Sequence, residues 1–491
     1  MHSSRVCHLV RVSGLILLAA LAPASAQAQS AAPAAAPPQA SDTFFARNLT
    51  RIEMWSFFTP PPGGGDPDYA HVGNRLFFGI EGRRPRLDYV VGLQYVQFGG
   101  LPDGAIGPGP LGTGGAYFQQ AGRSDSRQLY LRALNVRLKQ VLPGLDVQVG
   151  RMGYASGAEG ASGVPKIEAV KRQRLDSRLV GEFEWSIYQR AYDGVRADWT
   201  RGPARITGSA LRPTQGGFED AAGVGIDDLT IVTGASTFKP GSPVPGAELQ
   251  IFAHYYDDSR HVSGRPDNSG RAAARADVEV GTFGASVAGA YAAPAGQVDV
   301  LGWLAVQNGS WYDQSHRAWS VALEGGHQWT ATAWQPWVRG GLLHASGDDR
   351  PADGRHATFF QMLPTVRRYS MTTAYSQMNL NDRFVQVLLR PAAQLALRAD
   401  VHWLSLAAGA DRWYFGSGAT QEEGSIFGFA TRPSGGATGL GTAIEGSADY
   451  ALNRHFSVNG YVGHIRGGDV VRRSFSGDAM TFGYLETQIR F

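Results

Sequence analysis

The sequence predicts an all-β chain: a closed antiparallel transmembrane β-barrel of about 18 strands, with short periplasmic turns and long extracellular loops. Three observations predict it. Apolar and polar residues alternate with period two over stretches long enough to cross a bilayer, and helical periodicity is scarce. The composition holds 64 glycines and 11% aromatics at a mean hydropathy of only −0.20, as expected when apolar content is hidden in alternation. The last eight residues, YLETQIRF, alternate to the final position, with Leu485, Thr487, Ile489 and Phe491 on one side and Glu486, Gln488 and Arg490 on the other.

The elements follow in order. Arg5 and Arg11 precede the apolar stretch GLILLAALA, and small residues follow in PASAQAQ. Residues 1–26 therefore read as a secretory signal peptide with an A-x-A cleavage site, and residue 28 as a second cleavage point. The stretch is too short to span a bilayer as a helix. The single cysteine, Cys7, lies ahead of the apolar stretch and leaves with it, which excludes thiol chemistry and a disulfide scaffold. Residues 27–41 form an Ala/Pro linker of low complexity, and residues 42–491 a single barrel. No later run reaches 18 apolar residues, so an exported chain of this size crosses a membrane by strands or not at all.

Four hairpins are explicit. Residues 134–151 turn at LPGL, although the phase of the first strand is ambiguous. Residues 195–213 turn at 201–204, and residues 443–465 turn at 452–455. In residues 384–406, Val385, Val387 and Leu389 alternate with Gln386 and Arg390; Leu395, Leu397, Ala399, Val401 and Trp403 then alternate with Arg398, Asp400 and His402. Between hairpins lie longer polar, glycine-rich stretches, so short and long connections alternate along the chain. About 450 residues at ~25 per strand and connection give ~18 strands. Lipid offers backbone groups no partner, so the strands must close on themselves. A last strand that pairs with the first leaves no free edge.

The formal net charge is +3, which is no footprint for nucleic acid, and arginine supplies nearly all of the cations beside Lys139, Lys166, Lys171 and Lys239. Alternation turns Arg196, Asp198, Arg398, Asp400, Glu445, Asp449, Glu486 and Arg490 into the lumen, since a lipid-facing charge at the bilayer midplane costs roughly 2–4 kcal/mol. Each inward arginine can meet a carboxylate of a solute or form a ladder with a neighbouring acid. The basic run Lys166, Lys171, Arg172, Arg174, Arg178 belongs to an external loop or to one folded into the lumen, where it either attracts an anionic solute or lipopolysaccharide phosphates or is simply solvated. Asp348, Asp349 and Asp353 are calcium-compatible in type but lack EF-hand spacing, so no metal site is assigned. No G-x-S-x-G elbow, HExxH or paired-carboxylate motif is present; the chain reads as no enzyme, with no cofactor.

Two stretches carry a resemblance. One holds Gly150-Arg151, Arg178-Leu179-Val180-Gly181 with Trp185, and Arg190, Tyr192, Asp193, Gly194, Arg196. The other holds Ser346-Gly347-Asp348-Asp349, Asp353-Gly354, Phe359 or Phe360, Pro364-Thr365, Tyr369 and Asn379-Leu380. Together they resemble the alginate export family of bacterial outer-membrane proteins. The resemblance implies a monomeric, passive channel whose lumen carries arginines and admits an anionic polysaccharide or related acidic solute. It implies pore or substrate roles for Arg151, Arg178, Arg190, Asp193 and Arg196, beside Arg398 and Arg490 from alternation. Arg190 and Arg196 rank highest for selectivity, with Asp193 as their orienting partner. The partners implied are the cargo, outer-membrane lipid and lipopolysaccharide, and the barrel assembly machinery, for which Phe491 resembles the terminal signal. The alternative reading is a general or small-solute porin; a barrel enzyme is the remoter one.

Overall fold

The computed structural model describes residues 40–109, 111–272, 275–365 and 374–491. The expected signal peptide, nearly all of the linker, and Tyr369 lie outside the described residues. No helix among the described residues is long and apolar enough to cross a membrane.

One sheet holds the wall. Its strands are β1 (Ser41–Ser56), β2 (Asp68–Arg83), β3 (Leu87–Gly99), β4 (Ser126–Leu142), β5 (Leu145–Met152), β6 (Tyr192–Arg201), β7 (Ala204–Pro213), β8 (Leu229–Phe238), β9 (Ala247–Asp258), β10 (Val278–Ala293), β11 (Gly296–Trp311), β12 (Gln314–Trp329) and β13 (Trp337–Ala345). After the two-residue β14 (Arg355–His356) come β15 (Leu380–Ala392) and β16 (Leu395–Leu406). A separate loop hairpin, β17 (Arg412–Gly416) with β18 (Phe429–Pro433), precedes β19 (Gly439–Ala451), β20 (Phe456–Gly467) and β21 (Ala479–Arg490). The sheet has nineteen strands; leaving out β14, which pairs in parallel, eighteen antiparallel strands run round the barrel in chain order. β21 closes on β1 from Arg47↔Arg490 to Ser56↔Thr481. The 18-strand expectation holds, and so do the hairpins at 142–145, 201–204, 392–395 and 451–456. The ambiguous phase of β4 has a cause: its register shifts between Leu138 and Leu142, with Gln140 at φ 52°.

Alternation sorts side chains as the period-two reading requires. Val385 and Trp403 are 43% and 49% exposed on the lipid face, whereas Asp400 and His402 between them are buried. Leu485 is exposed and Glu486 buried. Both described chain ends lie at the short-turn end, where the Ala46 and Phe491 main chains exchange hydrogen bonds of 2.8 and 3.2 Å. The Phe491 ring is 74% exposed.

The longest connections do not all stay outside. Residues 153–191 turn inward and carry the helix Pro165–Arg174, whose Ile167, Val170, Lys171 and Arg174 are buried. Pro165 opens this helix, Glu168 sits in its first turn, and Lys171, Arg172 and Arg174 end it, each matching the helix dipole. Residues 346–365 join it in the lumen through the parallel bridge Val180↔Leu363 and the bond from Gly181 N to Leu363 O at 2.7 Å. Phe359, Phe360, Trp413 and Phe415 pack there too, so the core of this barrel is its filled lumen. One connection at the loop end breaks the expected alternation of lengths: Tyr312 and Asp313 alone join β11 to β12.

Candidate pore constriction

The inner helix meets the wall through charges. Lys166 Nζ lies 3.6 Å from Asp299 Oδ2, 2.9 Å from Gln328 Oε1 and 3.4 Å from the centre of the Trp337 ring. Arg174 Nε donates to Glu324 at 2.8 Å, and Arg178 Nη2 stands 3.8 Å from the same carboxylate. From the wall, Arg339 Nε donates to Asp299 Oδ1 at 2.9 Å, with Nη1 3.3 Å from Glu324 Oε2. Lys166, Arg174, Arg178, Arg339, Asp299 and Glu324 are all buried. Among the described residues, four cations thus converge on two carboxylates. Beside them Lys171 Nζ pairs with Glu248 at 2.8 Å and lies 3.5 Å from Glu168 on its own helix. Burial pulls the Lys166 ammonium down to about 8, and neighbouring Asp299 opposes the shift.

Space around this group is small. Beside Arg178, between Trp303, Phe252, Gln250 and His254, the cavity measures about 10 Å³, about enough for one water. A larger space of about 180 Å³ lies at the start of the helix, against Lys166, Tyr291 and Gln297. It adjoins the short turn between β10 and β11.

The expected site residues do not gather in one place. Arg178 stands in the constriction, with its guanidinium 4.6 Å from the Trp303 ring centre. Arg190 is buried deep among the loops; its Nη2 donates to Ser417 O at 2.5 Å, its guanidinium lies 5.6 Å from the Phe183 ring centre, and it has no ion-pair partner among the described residues. Burial lowers its basicity, which the Tyr192 and Tyr256 hydroxyls partly restore. Arg196 is clamped by Asp198, at 2.9 and 3.0 Å, and Asp198 also takes Arg205 at 2.9 Å. Arg398 donates to Asp400 on the inner wall, and Arg490 is exposed at the turn end beside Gln488.

Arg151 and Asp193 depart from expectation. Asp193 orients neither Arg190 nor Arg196; it meets Arg151 in a fork of 2.8 and 2.6 Å. The two residues are register partners sharing the parity of lipid-facing Val149 and Val195. Asp193 also stands opposite exposed Arg212. Arg151 and Asp193 therefore form a clamp on the outward side of the wall near its loop end, not in the lumen. Asp348 and Asp349 also part company, Asp348 being buried and Asp349 exposed. Burial, reinforced by Asp411, Asp353 and Asp349, pushes the Asp348 carboxyl up to about 6.

Sequence reasoning missed several inward charges. Arg339 could have been found from alternation in WVRGG, and Arg51 from LTRIEMW. Arg51 sits between Glu486 at 2.7 Å and Glu53 at 3.5 Å, stacks 3.5 Å from the Trp185 ring centre, and donates to Trp185 O at 2.8 Å. The seam of the barrel is thereby bolted to the inner loop.

An 18-strand antiparallel barrel with a loop-narrowed, charge-lined lumen defines the class as an outer-membrane channel of porin type. The sequence profile of the alginate export family matches residues 119–482, more than half of the chain, and the chain belongs to that family. Its place is the bacterial outer membrane. Solved barrels of the same fold include OpdK of Pseudomonas aeruginosa, 8% identical, covering 91% of this chain and 99% of that one at a TM-score of 0.55. A BenF-like porin of Pseudomonas fluorescens Pf-5 is 9% identical, with 91% and 98% covered and a TM-score of 0.56. OccK2 of P. aeruginosa, determined in complex with glucuronate, is 8% identical, with 92% and 98% covered and a TM-score of 0.54. No curated protein sequence matches this chain.

Proposed function

We propose that this channel passes an anionic solute, an acidic polysaccharide or a uronic acid oligomer, passively down its gradient. The observation that carries the reading is the clustering of cations at the inner helix: Lys166, Arg174, Arg178 and Arg339 gather around Asp299 and Glu324. In a narrow, low-dielectric passage a cation attracts a carboxylate far more strongly than in water. Binding at such a group is spread over several contacts, so the solute can also leave. Family membership supports the cargo class, as does the glucuronate bound by a barrel of the same fold. Arg196, held by its own acid, serves the wall in this reading, and Arg178 takes the role first given to it.

Planar-bilayer recordings test this. Anion selectivity and block by oligouronate, with neutral oligosaccharides inert, are the expected outcome. Cation selectivity, or equal passage of neutral and acidic sugars, would replace this reading with a general small-solute porin.

A further inference from the structure

We propose that Asp400, His402 and Glu445 hold a divalent transition-metal ion, zinc in the first instance, on the inner wall of the barrel. Asp400 and His402 come from β16, and Glu445 on β19 is the direct register partner of Asp400. All three are buried, and one ligand atom from each lies within 4.8 Å of the other two.

A second observation points to an ion. His402 Nδ1 is 3.0 Å from both oxygens of Asp382 on β15, which marks Nδ1 as the protonated nitrogen. The other nitrogen, Nε2, is buried and has no hydrogen-bond partner. Asp400 is in the same state: Arg398 donates to Oδ2, while Oδ1 is buried without a partner. A buried polar atom left unpaired costs on the order of 1–3 kcal/mol, and here two converge. An imidazole whose N–H is held by a carboxylate, with its lone pair directed at a cation, is how ligating histidines are oriented. Glu445, which has an interaction of its own, offers the third ligand atom.

The donor set selects the metal. One imidazole nitrogen and two carboxylate oxygens, with water from the lumen as fourth ligand, match zinc better than calcium, which takes oxygen alone. Bonds of about 2.0 Å place tetrahedral ligand atoms about 3.3 Å apart, so modest side-chain rotations close the site. The ion ties β15, β16 and β19 together. It lies one ring away from the inner helix, because His402 stacks on Phe384 at 5.7 Å and Arg174 covers that ring at 4.2 Å.

The test uses the full barrel, purified in detergent, stripped with chelator and titrated with Co2+ or Zn2+. Saturable visible absorption at one equivalent of Co2+, and one zinc per chain by elemental analysis, are expected of the unmodified protein. His402→Phe and Glu445→Gln abolish both, and Asp382→Asn weakens affinity about 10–100-fold. His455→Ala, at an exposed turn, changes neither. Heat-modifiable gel mobility confirms that each variant is a closed barrel. Failure of Co2+ to saturate at one equivalent in the unmodified chain overturns the proposal without reference to any variant. So does undiminished stoichiometry in His402→Phe.

Discussion

Two charged regions of the lumen are built from the same residue types and differ in their balance. At the seam, Arg51 is enclosed by Glu53 and Glu486, and the wall carries its own compensation. At the inner helix, four cations share two carboxylates. The seam is a ladder that fastens strands, whereas in the proposed function the helix is where a passing anion is met. Identity and burial of an arginine therefore say little about selectivity; the count of acids around it says more.

This contrast can be broken by substitution. Arg51→Ala has the largest expected effect, because it strands Glu486 and Glu53 in a buried setting and costs about 3–5 kcal/mol. Denaturant unfolding in detergent measures this, and anion selectivity of the surviving barrels stays unchanged. Arg178→Ala reverses the pattern. It strands no acid, because Glu324 keeps Arg174 at 2.8 Å and Arg339 at 3.3 Å, so stability falls less than for Arg51→Ala. The lost attraction of about 1–4 kcal/mol for a charge at ~4 Å weakens oligouronate block by at least fivefold. Equal effects of the two substitutions on block would remove the distinction between the regions. A pH titration is subtler. Burial lowers Lys166 to about 8, so raising the pH from 7 to 9 removes one positive charge from the group and lowers the anion preference. Lys166→Ala flattens that profile, and reversal potentials report it. Arg151→Ala has the smallest effect, about 1 kcal/mol or less at a partly exposed rim pair, with selectivity untouched.

Much of the wall was legible in the sequence, because each strand declares its faces locally. The hairpin of β15 and β16 shows both faces and its turn within 27 residues, from Leu380 to Leu406. The constriction was not legible in that way. Arg174 and Glu324 are 150 positions apart, and the sequence of the basic run does not reveal whether its loop goes outward or in. Arg151 and Asp193 were misplaced for another reason: motif membership grouped them with Arg190 and Arg196, although their parity with Val149 and Val195 turns them outward. Arg339 and Arg51 follow ordinary alternation, and only their partners across the barrel give them meaning.

The seam also carries a consequence for assembly. Arg51 joins Glu486 across 435 residues, and Ala46 pairs with Phe491 across nearly the whole described chain. Contacts of such sequence separation form late, since the intervening chain must first be ordered. The same Arg51 grips Trp185 of the inner loop. The joint between first and last strands is therefore riveted to the inner loop, and a misplaced loop would deprive the closing strands of that clasp.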